Sequence, residues 1–212
     1  GLRFRRPVTF IVGENGMGKS TLLEAIAVKA GFNAEGGSKN FRFATRETHS
    51  PLYGNLVLGR GLQPRDGYFL RAESFYNVAT EIDQIADGIH RYYGDKSLHR
   101  QSHGESFLSL LEHRLRGNGL YIFDEPEAAL SPSRQMYMLC RIKQLVESGS
   151  QFIVSTHSPI VMAYPGADIN EIADNGLQLT ELEQTPHYLL MKRFCLDHEG
   201  MLRQLGFGIP ES

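Results

Sequence analysis

Residues 13–20 read GENGMGKS, and this stretch decides the fold class of a chain of 212 residues. It follows Val8–Val12, a β-branched and aromatic run typical of a strand. After it, apolar residues three and four apart predict a helix from Ser20. This order predicts a phosphate-binding loop, because glycines let backbone N–H groups turn inward and a helix N-terminus adds partial positive charge. The alternative is a glycine turn with a surface lysine.

The predicted loop gives each of its residues a role toward a bound nucleotide. Lys19 is expected to reach the β- and γ-phosphates and is counted as a catalytic residue. Ser20 is expected to place its hydroxyl on Mg²⁺, and Thr21 to donate toward the α-phosphate. Backbone N–H groups of the remaining loop residues are expected to cradle the phosphates: Gly13, Glu14, Asn15, Gly16, Met17 and Gly18.

A pair of acids follows a second predicted strand. The apolar run Leu120–Phe123 is typical of a strand buried on both faces of a parallel sheet. Asp124 and Glu125 come at its carboxyl end, where open α/β sheets bind ligands. We expect Asp124 to bind the magnesium ion and Glu125 to polarise the attacking water. A solvated acidic turn is the alternative, and Glu127 is either a further acid of the site or a first-turn helix charge.

A histidine follows the next predicted strand. Ser131 and Pro132 predict the start of a helix that runs to Gly149, and a buried strand follows at Phe152–Val154. Two strands that flank a helix form a βαβ unit, which favours a parallel sheet. His157 follows the second strand in the sequence THSP. We expect it to reach a γ-phosphate and to report whether that phosphate is present; a structural histidine is the alternative.

A third polar segment, QSHGES, precedes an amphipathic helix that begins at Glu105. Ser102 and Gly104 therefore lie beside a predicted helix N-terminus, with a hydroxyl and free backbone N–H groups. These groups predict a second anion site. The alternative is an ordinary N-cap, which contributes about 1 kcal/mol to a helix.

Composition excludes several classes of protein. Lys and Arg total 22 against 24 Asp and Glu, so bulk charge gives no basis for holding nucleic acid or an anionic membrane. The two cysteines, Cys140 and Cys195, lie outside any CxxC pattern, which argues against a zinc site or a disulfide framework. No run approaches the roughly 20 apolar residues of a membrane span. We expect a cytoplasmic protein without direct membrane insertion.

Taken in order, GENGMGKS, SHGES, YIFDEPEAALS and STHSP resemble the ABC-type ATPases over most of the chain. The resemblance implies that ATP and Mg²⁺ bind between two subunits, where the phosphate loop of one faces the signature loop of the other. Ser102, Gly104 and Glu105 would then contact the γ-phosphate bound by the partner, and His157 matches the switch histidine. The loop that communicates across the dimer matches Ala129, Leu130 and Ser131.

The sequence also departs from the common family pattern. QSHGE stands where LSGGQ is usual, with His103 in place of a glycine, and Glu73 takes the place expected for a glutamine loop. Asn15 and the DEPE form resemble the soluble SMC- and RecF-like ATPases, an AAA-type P-loop clade. Those proteins usually carry long coiled coils, and no heptad pattern is present here. The chain is therefore most similar to a compact, stand-alone member.

The expected fold is α/β: a P-loop NTPase with a RecA-like parallel sheet, a small helical lobe and an N-terminal β subregion, as in ABC ATPases. A single ATP-binding domain over residues 1–212 fits the length, with the helical lobe at approximately 74–118. Smaller predicted elements are a helix over Ala79–Tyr93, an edge strand over Leu177–Leu182 and a terminal helix over Tyr188–Leu205.

These features predict an ATPase that dimerises around Mg·ATP and hydrolyses it in line with a water activated at Glu125. DNA maintenance or repair is one candidate role. The alternatives are the nucleotide-binding subunit of a transporter, a dimerisation switch with little turnover and, less favoured, a P-loop kinase. An unidentified protein partner is a further alternative. Short basic clusters are usually solvated surface charges, but they are also the candidate nucleic-acid contacts of this chain. They are Arg3, Arg5, Arg6, Lys39, Arg42 and Arg46.

Overall fold

A seven-stranded sheet forms the centre of the computed structural model, which describes residues 2–38, 51–59, 61, 63–72 and 103–208. The strands lie in the order β2-β3-β4-β5-β1-β6-β7. The edge strands β2 and β7 pair antiparallel with their neighbours, and the five inner strands are parallel. The strands are β1 Val8–Val12, β2 Gly37–Ser38, β3 Asp66–Arg71, β4 Gly119–Asp124, β5 Gln151–Ser155, β6 Asp168–Ala173 and β7 Gly176–Thr180.

Helices connect these strands. They are α1 Lys19–Lys29, α2 His103–Ser109, α3 Pro132–Glu147, α4 Pro159–Met162, α5 Pro186–Leu196 and α6 His198–Gln204. A π-helical turn, Leu110–Arg114, extends α2, and short 3₁₀ segments lie at Pro51–Asn55, Pro126–Ala129 and Leu182–Gln184. The prediction of a mostly parallel α/β fold is confirmed.

The sheet is buried on both faces, because alternate residues of each strand point to opposite sides. On β1, Phe10 packs on one side with Phe107 and Met138, and Ile11 packs on the other with Leu23 of α1. Helix α1 therefore covers one face, while α2 and α3 cover the other. Two apolar layers hold the sheet rigid, and they fix where its strand ends lie.

The strand register brings polar residues together at one edge. Asp124, the last residue of β4, is paired with Ser155 at the end of β5 and with Arg71 at the end of β3. Ser155 in turn is paired with Ile11, next to the last residue of β1. The carboxyl ends of four parallel strands thus lie in one row beside the glycine-rich loop that follows β1.

The C-terminal part differs from the sequence prediction. A strand at Asp168–Ala173 was not predicted, because its polar and apolar residues form no clear alternating pattern. The single terminal helix predicted over Tyr188–Leu205 is two helices that break at Asp197. The carboxylate of Asp197 accepts a hydrogen bond from the Gly200 N–H at 2.9 Å, which starts the second helix.

Some predictions fall on residues outside the described ranges. These are the helix over Ala79–Tyr93, most of the helical lobe at 74–118, and the candidate residues Ser102, Glu73, Lys39, Arg42 and Arg46. The assignment of 1–212 to one domain stays a prediction. No helix in the described part of the chain has the length and apolar character needed to cross a membrane.

Candidate nucleotide-binding site

The loop between β1 and α1 depends on its glycines. Gly13, Gly16 and Gly18 all have positive φ values, 142°, 82° and 88°. Residues other than glycine rarely adopt such φ angles. At Gly13 an added Cβ would also lie 2.9 Å from the carbonyl oxygen of Ile172 on β6. The glycines of the motif therefore let the backbone curl at the end of the sheet, as a phosphate cradle requires.

Lys19 lies inside this curl. Its side chain is buried, and its ammonium group donates to the carbonyl oxygens of Gly13 at 2.9 Å and Glu14 at 3.1 Å. Burial lowers the pKa of Lys19, while the nearby carboxylates of Glu125 and Asp124 oppose that shift. The lysine charge is thus held between loop carbonyls and the acids at the strand ends, where a phosphate would give it a stronger partner.

Asp124 is the most constrained acid of the site. Its Oδ1 accepts hydrogen bonds from the hydroxyls of Ser155 at 2.5 Å and Ser20 at 3.1 Å. The guanidinium Nε of Arg71 lies 3.8 Å from Oδ2, and Arg71 also pairs with Glu24 at 2.7 Å. Burial raises the pKa of Asp124, and the two hydroxyls and Arg71 lower it. The Asp124 carboxylate is therefore held against the Ser20 hydroxyl, which is predicted to bind the metal.

Glu125 adopts an unusual backbone conformation. Its φ of 52° and ψ of 53° lie in the left-handed region, which non-glycine residues seldom adopt. Its N–H group donates to the carbonyl oxygen of Ser155 at 3.2 Å and to the Ser155 hydroxyl at 3.1 Å. These bonds turn the chain sharply after β4. Strained backbone of this kind is concentrated at functional sites.

The side chain of Glu125 meets His157. The Oε1 atom of Glu125 lies 3.2 Å from Nε2 of His157, and both side chains are partly exposed. The His157 backbone N–H donates to Oε1 of Glu127 at 2.6 Å. Burial raises the pKa of Glu127, and hydrogen bonds such as this one lower it. Glu127 thus holds the histidine loop in place, and it also lies in the first turn of the 3₁₀ segment Pro126–Ala129, so both of its roles stay predictions.

Two residues of the predicted second anion site, Gly104 and Glu105, lie in the described part of the chain. Gly104 is buried where a Cβ would meet Arg134 at 2.4 Å and the carbonyl oxygen of Ala129 at 2.8 Å. The Glu105 side chain is exposed and lies 3.9 Å from Arg134. Ser131 caps α3 by accepting from the Arg134 N–H at 3.4 Å. The start of α2 and the loop Ala129–Ser131 are therefore packed against each other within one copy.

The oxygens at this edge fit a magnesium ion that arrives with a nucleotide. Mg²⁺ usually takes one or two protein oxygens and completes its shell with phosphates and water. The adjacent Ser20 hydroxyl and Asp124 carboxylate offer that arrangement. Over the described ranges, no group of three or more His, Cys, Asp or Glu side chains could hold a metal by itself. The donor set suits a metal shared with phosphate.

The structure brings the predicted residues of the phosphate loop, the acidic pair and His157 to one sheet edge. Three neighbours were missed from the sequence: Arg71, Ser155 and His187, whose Nε2 lies 2.9 Å from Nδ1 of His157. The first two lie at strand ends beside Asp124, and only the strand order reveals this. His187 follows the Thr-Pro start of a helix, a pattern that carries no functional signal.

Comparison with protein families agrees with this geometry. The family model described as "AAA domain" matches residues 2–102, and the one described as "AAA ATPase domain" matches residues 104–162. Together they span the phosphate loop, the acidic strand and His157. Over these two segments the chain is similar to AAA-type ATPase domains. The resemblance predicted from the four motifs is confirmed.

Similar proteins extend this comparison. An uncharacterized ABC transporter ATP-binding protein of Haemophilus influenzae is 27% identical over 185 residues, which cover 75% of this chain and 67% of the relative. A dimeric bacterial ABC transporter cassette has a TM-score of 0.50 at 18% identity, covering 87% of this chain and 89% of the cassette. The SMC head domain of Thermotoga maritima has a TM-score of 0.46 at 18% identity, covering 84% and 91%.

Proposed function

We propose that this ATPase domain binds ATP with Mg²⁺ and hydrolyses it. The observation that carries the proposal is the cluster at the carboxyl edge of the sheet. There a buried lysine, a hydroxyl bonded to a buried carboxylate, and a second carboxylate beside a histidine lie around a curled glycine loop. Phosphoryl transfer to water needs these parts, because it depends on positioning and charge stabilisation.

The residues divide the reaction among them. The loop Gly13–Gly18 and Lys19 bind the phosphates, with Thr21 toward the α-phosphate, and Ser20 and Asp124 hold the magnesium ion. When bound, Mg²⁺ neutralises phosphate charge. Glu125 orients the attacking water and accepts its proton. His157, whose Nε2 faces Glu125, contacts the γ-phosphate.

We further propose that two copies enclose the nucleotide. Gly104 and Glu105 lie at the start of α2, and the partly exposed side chain of Glu125 lies at the end of the acidic strand. With Ser102, Gly104 and Glu105 would face the γ-phosphate held by the other copy, beside that copy's own Glu125. The bacterial ABC transporter cassette of similar fold is a dimer. A second candidate function is a dimerisation switch that hydrolyses little ATP. The sequence QSHGE, in place of the usual LSGGQ signature, favours this candidate.

Phosphate release from ATP tests the proposal. We expect the wild-type protein to release phosphate in the presence of Mg²⁺ and to stop when the metal is chelated. Replacing Ser20 with alanine is expected to raise the Mg²⁺ concentration needed for half-maximal activity by about tenfold or more, since losing a metal contact commonly weakens affinity by that factor. Ser133→Ala, on the exposed start of α3, is the matched control. Activity that is indifferent to Mg²⁺ would contradict the metal assignment.

Two further candidates concern the process that ATP hydrolysis drives: transport across a membrane and an action on nucleic acid. The name of the Haemophilus influenzae relative favours a transporter subunit, for which co-purification with a membrane protein is the test. The exposed residues Arg3, Arg5 and Arg6 before β1 support nucleic-acid binding. A DNA titration at several salt concentrations, with and without ATP, tests that candidate, because phosphate contacts give a salt-dependent affinity.

A further inference from the structure

Two histidines from distant parts of the chain meet behind the proposed catalytic acid. His157 follows β5, and His187 is the second residue of α5. Nδ1 of His157 and Nε2 of His187 are 2.9 Å apart, and the rings meet edge to face with centroids separated by 4.9 Å. The other nitrogen of His157, Nε2, lies 3.2 Å from Oε1 of Glu125. His187 is thus positioned to influence which nitrogen of His157 carries hydrogen.

The distance between the two nitrogens limits the protonation states. A nitrogen pair at 2.9 Å needs one donor and one acceptor, because two lone pairs or two N–H groups would repel each other. If neutral His157 donates from Nδ1, its Nε2 has no hydrogen and faces the oxygens of Glu125 and the incoming phosphate with a lone pair. If His187 donates from Nε2, neutral His157 carries hydrogen on its own Nε2 and can donate to those oxygens.

We propose that His187 is a positioning residue that donates its Nε2–H to Nδ1 of His157 and so holds His157 as the Nε2–H tautomer. The proposal rests on the proposed function in one respect, that the Nε2–H of His157 serves ATP hydrolysis. Partners on the far nitrogen of a functional histidine commonly select its tautomer in this way. His187 would act through His157 and would not touch the nucleotide itself.

The surroundings of His187 support this arrangement. Thr185, fully buried, caps α5 by accepting from the Tyr188 N–H at 3.4 Å, which fixes the helix start that carries His187. Burial lowers the pKa of His187, as does the charge of Lys19, while Glu14 and Glu171 oppose the shift. A neutral His187 on a fixed helix end can hold its ring toward His157. Glu127 holds the His157 backbone by accepting a hydrogen bond from its N–H group.

Two substitutions of His187 separate hydrogen bonding from packing. His187→Phe keeps a ring without a donor, and His187→Gln places an amide donor near the position of Nε2. We expect His187→Phe to lower kcat for ATP hydrolysis about tenfold with KM for ATP unchanged, since losing one partly buried hydrogen bond has an effect of that order. His187→Gln should recover most of the rate. His198→Phe, on the exposed start of α6, is the control for a ring change in the same part of the chain.

The tautomer itself is measured by ¹⁵N NMR of the histidine side chains, with His157→Ala used to assign the signals. We expect the Nε2–H form of His157 in the wild type and a shift toward the Nδ1–H form in His187→Phe. The proposal is overturned if wild-type His157 carries hydrogen on Nδ1, if His187→Phe leaves kcat unchanged, or if His187→Gln is as slow as His187→Phe. A wild-type protein that releases no phosphate contradicts the proposed function instead, and the NMR result then decides the role of His187 alone.

Discussion

Replacing Lys19 with alanine is expected to weaken ATP binding by about thirtyfold or more, because removing one member of a desolvated charged contact costs roughly 2–5 kcal/mol. The lysine is buried, and its ammonium group bonds the carbonyl oxygens of Gly13 and Glu14. A bound phosphate would replace these neutral partners with an anion. Equilibrium titration with a fluorescent ATP analogue, or calorimetry, measures the loss.

The control for Lys19→Ala is Lys143→Ala on α3. Lys143 is largely exposed and pairs with Glu147 one helical turn away at 3.8 Å, so its loss should leave ATP affinity unchanged. Circular dichroism checks that both variants fold. If Lys19→Ala binds ATP as tightly as the wild type does, the curled loop is not the phosphate site.

Replacing Glu125 with glutamine is expected to slow ATP hydrolysis by roughly 10²–10⁴-fold and to leave ATP affinity unchanged, because glutamine cannot accept a proton from water. The change keeps the size of the side chain. It also keeps the Glu125 backbone bonds to Ser155, which hold the left-handed turn. Single-turnover phosphate release, combined with an ATP titration of the same variant, separates the chemical step from binding.

Glu147→Gln provides the matched control, since Glu147 is an exposed acid at the end of α3. It should hydrolyse ATP at the wild-type rate. If Glu125→Gln hydrolyses ATP as fast as the wild type, Glu125 is not the base. Loss of binding in Glu125→Gln would also count against the assignment, because it would place the carboxylate among the groups that hold nucleotide.

Features encoded in contiguous residues could be predicted from the sequence. Strand β1, the glycine loop and the start of α1 lie within one short segment, where the turn needs glycine and the helix needs its apolar spacing. The unit β4-α3-β5 was equally predictable, because two fully apolar runs flank a helix that begins with Ser131 and Pro132. Asp124, Glu125 and His157 follow directly from the ends of those runs.

Features that depend on strand order or on distant segments could not be predicted. Arg71 reaches Asp124 only because β3 pairs with β4, and Ser155 reaches it only because β5 pairs on the other side. His187 meets His157 through the packing of α5, with no spacing rule to connect them. Local capping also mattered, since Asp197 divides a continuous apolar pattern into two helices.

The mass of the Glu125→Gln variant in solution tests the central claim most directly, because this variant should bind ATP without consuming it. Analytical ultracentrifugation is carried out with ATP and Mg²⁺, with ADP and Mg²⁺, and without nucleotide. The account predicts twice the monomer mass with ATP and Mg²⁺ and the monomer mass in the other two conditions. A variant that is saturated with ATP and remains a monomer would contradict it.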